Sequence, residues 1–176
     1  YTSLSWVAID RASKMSVLMN KSSNLEKWKL IRTEIYNDIL NHGWNSKLGA
    51  FTQSYGSDDL DASLLLMESY NFINANDSMY IKTVKAIEKN LMNDGLLFRY
   101  KNKDDFGIPS SSFTVCSFWY INSLYKIGEK EKSKDYFKKI LKCKSNFLIA
   151  CIDGRTHDRN RYLLIPLSWG RFFLYC

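Results

Sequence analysis

Three stretches of this chain repeat one plan, and the spacing between them restricts the fold more than any other feature. Gly43 and Gly95 each close a helical stretch ahead of a loop rich in aromatic and polar residues. They lie about 52 residues apart, and Ile152-Asp153-Gly154 falls near one further period. The first loop carries Gln53-Ser54-Tyr55-Gly56-Ser57-Asp58-Asp59-Leu60-Asp61-Ala62-Ser63, and the second Asp94-Gly95-Leu96-Leu97-Phe98-Arg99-Tyr100. A period of this size means stacked supersecondary units whose insertions gather on one face. Loops on a rigid frame usually carry the chemistry, so function is expected on that face.

Helical periodicity fills each unit. Trp28, Ile31, Ile35 and Ile39 form an apolar stripe over 25–41, entered from Asn24 and stopped by Gly43. Tyr80, Val84, Ile87 and Leu91 do the same over 78–93, entered from Asp77, and Tyr136, Phe137, Ile140 and Leu141 over 130–144. Each of these has one wet face and reads as an outer helix. Leu60–Ile73 and Phe113–Ile127 are apolar on most sides and read as inner helices. Leu4–Leu18 is intermediate, with Trp6, Val7, Ala8 and Ile9 inward and Arg11 and Lys14 outward. The order is inner then outer, repeated, with long loops at 43–59, 95–112 and 145–165 at one end. This pattern predicts an all-α fold, a partial (α/α)6 toroid of about three helix hairpins. Such an arc has two raw apolar edges, to be covered by a separate chain, by a missing N-terminal half or by self-association.

At 176 residues and 45% hydrophobic content the chain suffices for one domain with a substantial core. The net charge of +7 is concentrated between Lys126 and Lys144, but Glu129, Glu131 and Asp135 interrupt the lysines. Mixed signs on a helix describe a solvated face rather than a nucleic-acid surface. No run approaches the length of a transmembrane helix, and no basic-then-apolar leader precedes the first helix. The chain opens at Tyr1, already inside helix, and reads as truncated there. Cys116, Cys143, Cys151 and Cys176 lack C-x-x-C spacing, so a reducing, cytoplasmic compartment is the economical reading. Cys116 reads as a buried small hydrophobe. His42 and His157 form no ligand pattern, and no metal or cofactor is expected.

Four strings then carry a family resemblance. Trp6-Val7-Ala8-Ile9-Asp10-Arg11-Ala12 resembles a W-V-A-x-D-R-A helix, and Tyr55–Ser63 resembles Y-G-x-x-x-L-D-A-S. Asp94–Tyr100 resembles D-G-L-x-x-R-Y, and Cys116-Ser117-Phe118-Trp119 resembles a C-S-F-W helix. In this order they are similar to glycoside hydrolase family 15, the glucoamylase and trehalase family, with an (α/α)6 catalytic domain. The resemblance covers residues 1 to about 148 and implies that 1–176 is the C-terminal portion of that domain, divergent beyond 148.

The resemblance implies an inverting glycosidase. Such an enzyme uses one carboxylic acid and one carboxylate about 6.5–9.5 Å apart, their environments holding the two pKa values apart. The family's acid precedes the W-V-A-x-D-R-A helix and so falls before Tyr1. Its base aligns with Ala150, in Ala150-Cys151-Ile152-Asp153, leaving no catalytic residue in the chain; Asp153 matches a trailing Asp. Arg99 is the implied sugar contact, a guanidinium donating to hydroxyls. Tyr55 and Trp44 offer flat faces for pyranose rings, or plugs for the barrel end. Trp169, in Ile165-Pro166-Leu167-Ser168-Trp169, aligns with an aromatic beside the base. Asp61 reads first as a helix cap, and Phe118 and Trp119 as core.

The implied activity is exo-acting release of glucose from α-glucans or oligosaccharides, with trehalase as the alternative. A non-catalytic helical-repeat protein is disfavoured by the long period, since a 34-residue repeat with short turns would be expected. A degenerate remnant without activity is consistent with Ala150.

Overall fold

The computed structural model describes residues 2–21, 23–105 and 107–142, together with the backbone of 151–152. Five α-helices are found among the described residues: α1 (Thr2–Leu18), α2 (Leu25–His42), α3 (Ser78–Leu91), α4 (Thr114–Lys126) and α5 (Lys130–Lys142). The period is carried by the outer helices, which begin at Leu25, Ser78 and Lys130. The stripes of α2 and α3 turn inward as expected, whereas in α5 Phe137 and Leu141 are exposed and only Ile140 is buried, with Tyr136 half-buried against the core. Ile39 of α2 is buried, as are Tyr80, Val84, Ile87 and Leu91 of α3 and Ile140 of α5. The lysines of α5 stay at the surface, where Lys132 bridges Glu88 and Glu129, and Lys134 pairs with Glu131. No helix of the described residues is long and apolar enough to cross a membrane.

The inner helix expected over Leu60–Ile73 is corrected. A 3-10 turn, Ala62–Met67, takes its place and ends in turns around Asn71, which has a φ of 59°. The reason is visible in the burial. Ala62 and Leu65, three residues apart, are almost wholly inaccessible, and residues at i and i+3 align in a 3-10 helix. This segment packs on α4 and α3, and the buried Tyr80 hydroxyl donates to the Leu65 carbonyl at 2.8 Å.

The facing of α1 also differs from expectation. Trp6, Asp10, Ser13 and Ser16 are its buried positions, while Leu4, Met15, Val17 and Leu18 are exposed. A polar face can be buried here because its groups are satisfied. Ser13 and Ser16 donate to the Ile9 and Ser13 carbonyls, and Asp10 meets three cations. Leu4, Met15 and Leu18 share one side of α1 by helical spacing and are exposed there.

Both α2 and α3 lead into a short hairpin where plain loop was expected. After α2, β1 (Trp44–Asn45) pairs antiparallel with β2 (Ala50–Phe51). After α3, β3 (Met92–Asn93) pairs with β4 (Leu96–Leu97). Asp94 and Gly95, with φ of 49° and 80°, form the two-residue turn that suits such a hairpin. Gly43, by contrast, has a φ of −83°. It is required there because a Cβ would lie 2.7 Å from the Ile39 carbonyl oxygen. Gly43 and Gly95 are therefore not structural equivalents, despite their spacing.

One hydroxyl anchors each hairpin to a following helix. The Phe51 amide donates to Thr83 Oγ1 of α3, and the Leu97 amide to Ser117 Oγ of α4, both at 3.0 Å and buried. Phe113, expected to start the fourth helix, lies instead in β5 (Ser112–Phe113), which pairs antiparallel with β6 (Cys151–Ile152).

Candidate sugar-contact site

The long loops are joined in series by backbone bonds. The Ala62 amide, at the end of the first loop, donates to the Arg99 carbonyl in the second at 2.7 Å. The pairing of β5 with β6 then brings the third loop beside the end of the second. Arg99 stands in this junction, two residues past β4, where the Ser117 anchor fixes the strand beneath it.

Asp61 holds the arginine. Its Oδ1 accepts the Ser63 amide at 2.7 Å, the N-cap of the 3-10 turn. Its Oδ2 accepts Arg99 Nε at 3.4 Å. The expected cap is present, although the Ser63 amide makes it; the Ala62 amide goes to Arg99, and the Leu64 amide to the Asp61 carbonyl. The Asp61 side chain is 9% exposed and that of Arg99 44% exposed. The carboxylate is thus an inner anchor, and the guanidinium reaches into solvent.

The loop beyond Arg99 is stitched locally. Tyr100 donates its hydroxyl proton to Asp104 Oδ2 at 2.6 Å. That bond to a carboxylate, aided by burial and by the negative charge, raises the phenol above its ordinary pKa. Asp104 and Gly107 exchange two backbone bonds, and Gly107 has a φ of 104°.

The two candidate aromatics, Tyr55 and Trp44, have different partners. Tyr55 is partly exposed and donates to Asp38 Oδ2 on α2 at 2.7 Å, with its ring 5.7 Å from that of His42. Trp44 packs edge-on against Phe51 at 5.3 Å and joins the core, the barrel-plug alternative. Trp119 also packs on the core, and Phe118 meets Phe137 of α5. Trp169, Ala150, Asp153, Gly154 and His157 lie outside the described residues, as do Cys143 and Cys176.

Other carboxylates of the first loop serve its own architecture. Asp58 accepts from Asn45 at 2.6 Å, and Asp59 from the Ser57 hydroxyl at 2.9 Å. Among the described residues, no group of three or more His, Cys, Asp or Glu side chains could hold a metal ion. The arrangement can therefore grip a polyhydroxylated ligand through Arg99.

Sequence reasoning missed a second cluster. Asp10, in the W-V-A-I-D-R-A string, is 2% exposed and meets Arg11 and Lys14 at 2.7 Å and Arg32 of α2 at 3.0 Å. Burial pushes its carboxyl upward, but hydrogen bonds and charge from these cations prevail and hold it below the usual carboxylate range. Arg11 continues to the Tyr70 carbonyl at 3.3 Å, so one acid ties α1 to α2 and to the turn after Met67. A shallow depression beside it is lined by Trp6, Asp10, Lys14, Arg32, Tyr36 and Asn71, among others, and contains no predicted sugar contact. The signal available in sequence was an acidic residue set among apolar ones, facing inward.

The description "Glycosyl hydrolases family 15" matches residues 2–159. A trehalase of Mycobacterium tuberculosis is 40% identical over 147 residues, covering 82% of this chain and 22% of the relative. A trehalase of Thermoplasma acidophilum is 38% identical over 159 residues, covering 88% of this chain and 27% of the relative. The chain thus spans about a quarter of the relatives it matches. Among solved structures, a glycosidase variant in complex with glucose aligns with a TM-score of 0.65 at 16% identity, over 77% of this chain and 36% of that one. That likeness bears on fold alone, and it agrees with a helical arc that is part of a larger domain. On the extent and identity of these matches, the chain belongs to glycosyl hydrolases family 15.

Proposed function

We propose that this chain is the sugar-contacting segment of a trehalase-type catalytic domain, and that the complete domain hydrolyses α,α-trehalose to glucose with inversion. Identity of 36–41% to several proteins named trehalase supports this specificity over the glucoamylase reading favoured by the motifs alone. Arg99 is the residue that meets sugar hydroxyls, with its backbone pinned by Ala62 and its side chain 44% exposed. The exposed α1 face around Leu4, Met15 and Leu18 is the edge on which the remaining helices of the domain pack.

Hydrolysis needs a general acid and a general base, and the resemblance aligns Ala150 with the base. The test is a chimera in which this segment replaces its counterpart in the Mycobacterium tuberculosis trehalase, with Ala150→Glu restoring the base. Preferential glucose release from trehalose over maltose and maltooligosaccharides, lost when position 150 reverts to alanine, is the expected result. Preference for maltooligosaccharides would return the assignment to glucoamylase.

A further inference from the structure

We propose that Asp61 is a positioning residue for Arg99, setting the direction in which the guanidinium meets sugar; this rests on the reading of Arg99 as the sugar contact. An arginine offers a planar fork in which Nε–H and the terminal Nη hydrogens share one plane. Asp61 Oδ2 takes the Nε–H, and among the described residues no partner is found for the Nη atoms. The fork is thereby clamped on its inner edge while its outer edge stays available. The clamp reaches across 38 residues and joins two loops, so the side chain is oriented by the fold as well as by its own loop.

The anchor itself cannot swing. Asp61 Oδ1 is committed to the Ser63 amide, and the residue has an extended φ of −127° leading into the turn. The adjacent Ala62–Arg99 backbone bond fixes the distance between the two Cα atoms. Three bonds within three consecutive residues therefore determine where the arginine fork points. Such preorganisation reduces the ordering cost that a long side chain otherwise incurs on binding.

The two jobs of Asp61 separate by substitution. Asparagine and serine cap helices as well as aspartate does, so Asp61→Asn and Asp61→Ser keep the Ser63 bond. Neither supplies an anionic acceptor for Nε–H. In the 176-residue chain labelled with 15N-arginine, the Arg99 Nε–H signal, assigned by its loss in Arg99→Lys, should exchange with solvent about tenfold or more faster in both Asp61 variants. Titration with trehalose itself should shift the Arg99 signals in the parent chain. The half-saturating concentration should rise about fivefold or more in the variants, with Tm within about 3 °C of the parent.

Unchanged Nε–H exchange would overturn the clamp. Faster exchange with unchanged trehalose response would overturn the positioning role. A parent chain whose Arg99 signals ignore trehalose, while Asp61→Asn still speeds exchange, would instead overturn the sugar-contact reading and leave the clamp upheld.

Discussion

Replacing Asp10 by asparagine tests what the W-V-A-I-D-R-A string does physically. The carboxylate is 3% exposed and accepts from Arg11, Lys14 and Arg32, whose side chains are 42%, 53% and 36% exposed. A charge-assisted bond contributes about 1.5–3 kcal/mol when well buried. The cationic ends here keep much of their water, which reduces each bond to about 0.5–1 kcal/mol. Three such bonds give about 2 kcal/mol for Asp10→Asn near neutral pH, a fall in Tm of about 4–8 °C for a chain of this size. The pH dependence follows in sign. The folded carboxyl lies below its ordinary value, so its contribution is complete above the unfolded pKa of about 3.9 and is lost as pH falls through the lowered folded value. Urea unfolding of parent and variant, side by side from pH 7 down to pH 2, reads the difference directly. The gap should be full at pH 7, shrink below about pH 4 and close at the acid end. A gap under about 0.5 kcal/mol at pH 7, or one that persists at pH 2, would refute the ion cluster as the tie between α1 and α2.

Further outcomes are expected elsewhere. Ser117→Ala leaves the buried Leu97 amide without its acceptor and should cost about 1–3 kcal/mol, measured by urea unfolding. Gly95→Ala forces a φ of 80° on a residue with a Cβ, for about 1–2 kcal/mol; the nearest obstruction, the Lys139 side-chain end at 3.3 Å, can move aside. Purified 1–176 should release no glucose from trehalose, maltose or maltooligosaccharides, and Ala150→Glu alone should change nothing, because each positioned acid or base is worth about 10²–10⁴-fold.

Much of the frame was legible because the outer helices alternate apolar and charged residues at helical spacing. The stripes of α2 and α3 predicted their extents to within about two residues, the usual uncertainty of helix ends, and that of α5 predicted its start. The 3-10 turn was illegible because Leu60–Ile73 is apolar on most sides, so its hydrophobicity carries too weak a period to choose between helix types. The hairpins were missed for a different reason. Their strands are two residues long, too short for alternation to register, although Asp94-Gly95, between Met92-Asn93 and Leu96-Leu97, is a recognised hairpin turn. Taking Gly95 as a helix stop concealed it.

At the site, the string containing Arg99 falls in a loop that the structure places against the end of the preceding one. The Asp61 partnership could not be read from sequence, since the residues sit 38 positions apart and Asp61 already had a local role as a cap. Tyr55 and Trp44 were chosen for aromaticity, which does not specify direction. One turned to Asp38 and His42, the other to Phe51. Asp10 escaped notice because helical patterning assigns charge to the outside. Its burial depends on cations supplied by both its own helix and α2.

The most direct measurement is trehalose hydrolysis by the base-restored chimera with and without Arg99→Ala. If the second long loop grips the sugar, two or more charge-assisted bonds disappear from the transition state, and kcat/KM should fall at least about a hundredfold. The folded state, followed by Tm, should stay close to the parent because the Ala62 bond to the backbone carbonyl of residue 99 remains. A kcat/KM within about threefold of the parent, in a chimera of undiminished Tm, would contradict the assignment of Arg99 and of its loop to sugar recognition.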